Sequence, residues 1–167
     1  HVIIAPTAHR LARKSRIVLA ELAEETFLTR GPGSGTRGLM EQLIETAGIR
    51  PKIGFAMSSN ETIKQAVIAS LGIAFISAHT VATELDERRL TTLDVVGLPI
   101  IRQWFALSRK DKVLLPPAQA MLDFLSTKGR QFLPRTHGRL RITRPTARGR
   151  RGWPIRTSPS RPRKGPA

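Results

Sequence analysis

The 167-residue chain contains no cysteine and no tyrosine, and its aromatic residues are six phenylalanines and two tryptophans. The lack of cysteine excludes a disulfide framework, a thiolate zinc site, an iron–sulfur cluster and a cysteine nucleophile. The longest apolar runs, residues 66–69 and 71–76, are far shorter than the roughly 20 residues that a membrane-spanning helix needs. No signal peptide is recognisable after His1. We therefore expect a soluble, cytoplasmic protein without membrane contact.

Acidic residues are missing from residues 135–167, which carry eleven of the 28 Lys and Arg residues. The net charge of +16 therefore falls to +5 for residues 1–134, where 17 basic residues face all twelve acids. The last 34 residues also hold six of the twelve prolines and have no periodic apolar face. We predict that residues 134–167 are a disordered basic tail, since they cannot bury enough surface to offset the entropy of ordering. The composition fits either a natural tail or read-through of a GC-rich frame.

Apolar periodicity alternates between strand and helix along residues 1–133, which predicts an α/β fold with a mostly parallel sheet. Gly48 and Gly72 each end a predicted helix. The predicted strands are 1–6, 26–30, 52–57, 73–77, 90–95 and 100–109, and Trp104 in the last is expected in a core or interface. Helical residues are predicted at 19–23, 39–47, 63–71, 79–89 and 116–132.

A glycine-rich turn between a predicted strand and a helix is the strongest candidate for a binding site. Free backbone N–H groups and the helix dipole favour an anion at such a place. Hydroxyl donors and two arginines flank it, and arginine forms charge-assisted hydrogen bonds with carboxylate or phosphate. The candidate residues are Arg30, Ser34, Gly35, Thr36 and Arg37. The helix dipole supplies at most ~2 kcal/mol, whereas micromolar binding needs about 8 kcal/mol, so the turn alone is not a complete site.

This turn has three other interpretations. The simplest is a tight turn that Ser34 caps, with solvated arginines. Residues 33–38 also fit the dinucleotide fingerprint G-x-G-x-x-G, but the acid expected about 20 residues later is missing from 52–57, and Glu61 comes too late. A P-loop fails because Leu39 and Met40 stand where Lys and Ser or Thr are required.

A second polar cluster, Ser58, Ser59 and Asn60, precedes the next predicted helix. Alone, it is a helix cap. If the preceding strands are parallel, however, both clusters leave the same edge of the sheet, where open α/β sheets bind ligands. We therefore expect one shared effector pocket.

Catalytic and metal-binding patterns are not recognisable. The four histidines, His1, His9, His79 and His137, have neither metal-ligand spacing nor a defensible triad order. We expect no enzymatic activity, no catalytic residue and no metal site.

Several motifs in order resemble the effector-binding domain of LysR-type transcriptional regulators. The resemblance covers roughly residues 1–134 and, within the family, is strongest to regulators of Calvin-cycle (RuBisCO) operons. The matching motifs are Phe27–Arg37 with GSGTR, SSNETIKQAV at 58–67, LGIAFIS at 71–77, Glu84-Leu85, Leu90, GLPI at 97–100 with Arg102 and Trp104, and Phe124-Leu125.

This resemblance implies a type 2 periplasmic-binding-protein-like fold with an effector between two α/β subdomains. Residues 21–98 would form a nearly complete second subdomain, and 1–20 and 99–133 would be parts of the first. The chain starts with His1, so we expect a segment of a longer protein whose helix-turn-helix lies elsewhere. The resemblance also implies a homo-oligomer (dimer or tetramer), no tightly bound cofactor, and an anionic effector such as a phosphorylated metabolite or NADPH. The rival functions are a solute-binding protein of the same fold and a nucleic-acid binder acting through the tail.

The sequence departs from the family pattern at three places. An acid usually stands at Gly31, and a proline at Arg10. Ser70 replaces a glycine just before Gly72. If that position needs left-handed backbone geometry, the serine strains the helix end by up to ~1 kcal/mol.

Overall fold

The computed structural model describes residues 1–102, 105–109, 111 and 113–133. Within them lie five strands: β1 (Val2–Pro6), β2 (Thr26–Arg30), β3 (Lys52–Met57), β4 (Ile73–Ile76) and β5 (Leu90–Thr92). The α-helices are α1 (Gly35–Thr46), α2 (Asn60–Ile68), α3 (Ala82–Asp86) and α4 (Pro116–Thr127). Short 3₁₀ helices lie at Leu19–Leu22, Ala78–Val81 and Gly129–Phe132. The predicted α/β class is confirmed.

The five strands form one mixed sheet in the order β3-β2-β4-β1-β5. The predicted parallel pairing holds for β2 with β3 and with β4, whereas β1 runs antiparallel to both β4 and β5. The chain moves from β2 outward to β3 through α1 and then back past β2 to β4 through α2. This reversal is a topological switch point beside β2, the place where α/β sheets bind ligands.

Each face of the sheet has its own apolar core, because neighbouring residues of a strand point to opposite faces. Phe27 packs with Met40 and Leu43 of α1 on one face. Leu28 packs with Ile63 and Val67 of α2 on the other. The short apolar strand β4 contributes to both cores and is buried throughout, as predicted for a central strand. The two helices therefore cover opposite faces of the sheet and start from the same edge.

The predicted strand at 100–109 is wrong for the residues that the structure describes there, which are irregular. Ile100 packs against the core, but the large apolar side chains described after it are exposed, with Ile101 at 81 % and Leu107 at 93 %. A strand needs a hydrogen-bonding neighbour, and β3 and β5, the outer strands of the sheet, pair only inward. Trp104 and the predicted tail at 134–167 lie outside the described residues.

Three other predicted elements are shorter than expected. The helix predicted at 79–89 is a 3₁₀ turn followed by α3, and the helix predicted at 116–132 is α4 followed by a 3₁₀ turn that begins at Gly129. The strand predicted at 90–95 ends at Thr92, after which Val95 forms a single bridge with Ile17.

The predicted subdomain boundaries stay a prediction. The sheet itself runs across the boundary near residue 20, because β1 lies between β4 and β5. Residues 2–6 and 26–92 thus share one sheet and its two cores.

Three helices end in the same hydrogen-bonded cap, in which the residue after the C-cap has a positive φ. After α1 this residue is Gly48, as predicted, with φ 65°. After α2 it is Ser70, with φ 63°, and after α3 it is Arg88, with φ 58°. At Ser70 the cap is complete: its N–H bonds Val67 O at 2.9 Å and the next N–H bonds Ala66 O at 3.0 Å. The left-handed geometry anticipated at Ser70 is present.

We predict that Ser70→Gly raises the free energy of unfolding by up to ~1 kcal/mol, because glycine avoids the contact between Cβ and the carbonyl in this geometry. Urea unfolding of the chain measures the change. Ser70→Ala is the matched control: it also removes the hydroxyl but keeps Cβ, so no stabilisation is expected. Equal effects of the two substitutions would contradict the assignment of strain to the backbone.

Candidate functional site

The two predicted polar clusters meet at one edge of the sheet. In the parallel pair β2–β3, Arg30 is the register partner of Met57, and the N–H of Gly31 donates to Met57 O at 3.0 Å. The guanidinium of Arg30 then donates to Asn60 Oδ1 at 2.7 Å, which joins the end of β2 to the start of α2. The expectation that both clusters leave the same edge is confirmed.

At the start of α1, the backbone rather than a side chain forms the cap. Ser34 occupies the N-cap position, and its carbonyl accepts the N–H of Gly38 at 3.0 Å, but its hydroxyl makes no capping hydrogen bond. The N–H groups of Gly35, Thr36 and Arg37 precede the first intrahelical bond and are free of intrahelical partners. Ser34 is therefore the cap residue of the turn, as in the simplest interpretation, but it caps through its backbone, and its hydroxyl lies beside three N–H donors.

The second cluster behaves differently, because its central serine is engaged. Ser59 is the N-cap of α2, and its Oγ accepts the Thr62 N–H at 3.0 Å and lies 2.8 Å from Thr62 Oγ1. Ser58 is exposed. Ser59 therefore has a structural task that Ser34 lacks, and within this cluster Ser58 is the more available hydroxyl.

Arginines surround this edge, and two of them are held by neighbours. Arg37 Nε donates to Glu41 Oε1 at 2.7 Å within α1. Arg30 is fixed by Asn60, while its Nε is buried without a partner among the described residues. A third, Arg102, was not predicted as a site residue: its Nη1 lies 3.6 Å from where a Cβ on Gly35 would be. Sixty-five residues of chain separate Arg102 from Arg37, so no local motif could have indicated this approach.

The carboxylate of α2, Glu61, is hydrogen-bonded within its own helix. Glu61 accepts hydrogen bonds from Lys64 at 2.7 Å and from Gln65 at 2.8 Å. These bonds, that of Lys64 first, lower the pKa of the Glu61 carboxyl below its usual value. Lys64 Nζ also lies 2.7 Å from Oε1 of the buried Glu84, so Glu61 is ionised but shares its cation with a second carboxylate.

Two open grooves lie near the sheet, and neither encloses both clusters. One, of about 340 Å³, runs between α1 and the exposed edge strand β3 and includes Arg37 and Thr29, whose buried hydroxyl has no partner among the described residues. The other, of about 370 Å³, lies at the opposite ends of the strands from the two polar clusters, beside His9, Glu25 and Ser70. Of the candidate site residues, Arg37 lines the first groove, and none of the second cluster lines either groove.

The described part of the chain has neither a metal-binding cluster nor a membrane-spanning helix. No group of three or more His, Cys, Asp or Glu residues there could hold a metal ion. No helix there is long and apolar enough to cross a membrane.

An α/β sheet whose polar loops converge beside a switch point has the architecture of a small-molecule-binding domain. The chain belongs to the LysR substrate-binding domain family, whose model matches residues 1–130. This confirms the resemblance and the fold that it implied.

Relatives of this chain are named as transcriptional regulators, and one of them as a regulator of the RuBisCO operon. The chain is 53% identical over 140 residues to the HTH-type transcriptional regulator CbbR of Xanthobacter flavus, covering 83% of this chain and 42% of the relative. It is 48% identical over 124 residues to the RuBisCO operon transcriptional regulator of Allochromatium vinosum, covering 74% of this chain and 41% of the relative. The chain therefore spans about two fifths of the length of these relatives.

Solved structures agree with this family. The CcmR regulatory domain of Synechocystis PCC6803, solved in complex with 2-PG, superposes with a TM-score of 0.71 at 37% identity and covers 74% of this chain and 60% of that one. The effector-binding domain of QuiR in complex with shikimate gives a TM-score of 0.66 at 22% identity, over 79% of this chain and 62% of that one. At that identity the second likeness shows the fold alone.

The different roles of Ser34 and Ser59 predict different costs of removing each hydroxyl. Ser59→Ala is expected to lower the free energy of unfolding by about 1 kcal/mol, since it removes a helix cap. Ser34→Ala is expected to cost much less, because its hydroxyl caps nothing. Urea unfolding of both variants tests this, and equal losses would show that Ser34 also acts as a side-chain cap.

Proposed function

We propose that this chain is the effector-sensing portion of a LysR-type transcriptional regulator of carbon-fixation genes. Its ligand is a small anionic metabolite, either a phosphorylated compound or NADPH. The proposal rests on one observation: the parallel ends of β2 and β3 bring free N–H groups, the Ser34 hydroxyl and arginines together. The site is formed by Arg30, Ser34, Gly35, Thr36, Arg37, Ser58, Ser59 and Asn60. It binds rather than catalyses and uses no metal or tightly bound cofactor.

The chemistry of the relatives supports an anionic effector. The CcmR regulatory domain, 37% identical to this chain, was solved with 2-PG. Most polar groups at this edge of the sheet are hydrogen-bond donors. Such donors form their strongest hydrogen bonds with ionised oxygen acceptors. A carboxylate or phosphate is therefore the group that this edge recognises.

Binding of DNA is assigned to a part of the regulator outside these residues. The relatives are named HTH-type regulators, and the chain spans about two fifths of their length. The intact regulator acts in the cytoplasm as a homo-oligomer, and the effector changes the arrangement of its subunits. Such a ligand must bind the two arrangements with different affinity.

Residues 99–133 fit a role in the other half of the effector domain. No residue of α4 is buried, and its apolar side chains Met121 and Leu125 are 59 % and 49 % exposed. The chain covers only 60% of the CcmR regulatory domain, so a comparable domain contains more protein against which α4 could pack. This supports the two-subdomain arrangement with the effector between them. A solute-binding protein of the same fold is less well supported, since the family model that matches is that of LysR regulators.

We predict that Thr36→Ala combined with Arg37→Ala in the full-length regulator removes the response to effector and leaves DNA binding intact. The substitutions delete a hydroxyl and a cation at the free end of α1. DNA binding and its change with 2-PG or NADPH can be followed by fluorescence anisotropy with promoter DNA.

Thr46→Ala combined with Arg50→Ala is the matched control, since it removes the same residue types at the other end of α1. In this control variant, 2-PG or NADPH should change DNA binding as it does in the unsubstituted regulator. An unchanged response in the Thr36 and Arg37 variant would show that the pocket is assigned wrongly.

The basic tail makes a second function testable. Its eleven positive charges and lack of acids favour sequence-independent binding to nucleic acid. If it binds, the 167-residue chain should retain random duplex DNA at low salt and release it steeply as salt rises, whereas a chain truncated after residue 134 should not bind. A chain with the eleven basic residues replaced by glutamine controls for length. Equal affinity of all three chains would exclude this function.

A further inference from the structure

Arg102 reaches the candidate site from a distant part of the sequence. Just before it, Ile100 exchanges two backbone hydrogen bonds with His1: His1 N to Ile100 O at 2.6 Å and Ile100 N to His1 O at 3.0 Å. His1 precedes β1, whose first residue, Val2, pairs with Ile76 at the end of β4. Because β4 runs parallel to β2, the end of β4 lies at the edge of the sheet that carries the two polar clusters. Arg102, two residues after Ile100, is therefore brought to this edge.

The guanidinium of Arg102 lies at the first residue of α1. Its Nη1 is 3.6 Å from the position of a Cβ on Gly35, so it stands directly against the helix start. A helix N-terminus carries a partial positive charge, and a cation placed there is unfavourable. An anion between the two would turn this repulsion into two attractions.

Arg102 also has no carboxylate partner within the described residues, unlike Arg37, which Glu41 holds. The residues outside the described ranges contain no Asp or Glu, so no acidic side chain of this chain remains to pair with it. Arg102 is exposed, and its charge faces two positive groups, the helix start and the terminal ammonium of His1, whose pKa is lowered by burial and then by repulsion from Arg102.

We propose that Arg102 is a specificity-determining residue of the effector site. Its guanidinium binds the same anionic group of the effector as the N-terminus of α1. This inference rests on the proposed function. The guanidinium offers two parallel N–H donors, and the helix start adds up to three. Such a donor set suits the three terminal oxygens of a phosphoryl group better than the two of a carboxylate. An anion held in this way also ties the segment after Ile100 to α1, so that binding fixes these two parts of the chain relative to each other.

Calorimetric titration of the 167-residue chain with 2-PG and with inorganic phosphate tests the proposal. Arg102→Ala should weaken binding of both probes by about tenfold or more, the scale of a lost charge-assisted hydrogen bond. Arg102→Lys should restore part of the affinity, since it keeps the charge without the two parallel donors. Acetate should bind more weakly than phosphate to the unsubstituted chain, and Arg102→Ala should narrow that difference.

Arg109→Ala is the matched control. Arg109 is an exposed arginine of the same segment that pairs with Asp111, so the variant makes the same change in net charge away from the site. It should bind phosphate as the unsubstituted chain does. Thermal unfolding should be the same for all variants, which separates lost ligand contact from lost structure.

The outcomes distinguish this inference from the proposed function. If Thr36→Ala with Arg37→Ala abolishes binding while Arg102→Ala and Arg109→Ala leave it unchanged, the anion site stands and the role of Arg102 is rejected. Equal weakening by Arg102→Ala and Arg109→Ala also rejects that role, since net charge alone would then explain the effect. If the unsubstituted chain binds neither probe, both the site and the role of Arg102 are rejected.

Discussion

The parallel pairing of β2 with β3 is the constraint on which the candidate site depends. Parallel strands end at the same edge of a sheet, so the turn before α1 and the turn before α2 emerge side by side. The hydrogen bonds from Gly31 to Met57 and from Arg30 to Asn60 join the two turns directly. If β3 ran antiparallel, the Ser58–Asn60 cluster would lie at the opposite edge of the sheet.

The two cores maintain this arrangement. Phe27 and Leu28 are adjacent on β2 and point to opposite faces, where α1 and α2 respectively pack on them. Each helix is thereby anchored by its buried apolar side chains, while its N-terminus stays at the polar edge. The polar edge is thus built from the ends of the sheet and from the starts of two helices that the cores hold in place.

Much of this organisation follows from local patterns. The bounds of β2 and β3 were predicted correctly, because each strand is a short run of apolar residues and β-formers bounded by glycine, proline or serine. Gly48 marks the end of α1 for a comparable reason, since its left-handed backbone suits glycine. The failures have physical causes as well. The alternating pattern of 100–109 resembles a strand, but a strand also requires a neighbour, which the sequence of that segment does not encode.

Local patterns were enough to establish the α/β class, the membership of the LysR effector domains and the presence of two polar turns that precede helices. These are properties of short segments, set by apolar spacing, glycine geometry and ordered motifs. Which hydroxyls are available and which charges are compensated depends instead on how the segments pack. Ser34 and Ser59 look alike in sequence, yet only Ser59 caps its helix with its side chain. Arg102 lies close to Gly35 only because the start of β1 is placed beside the ends of β2 and β4. Such a contact depends on how distant segments pack.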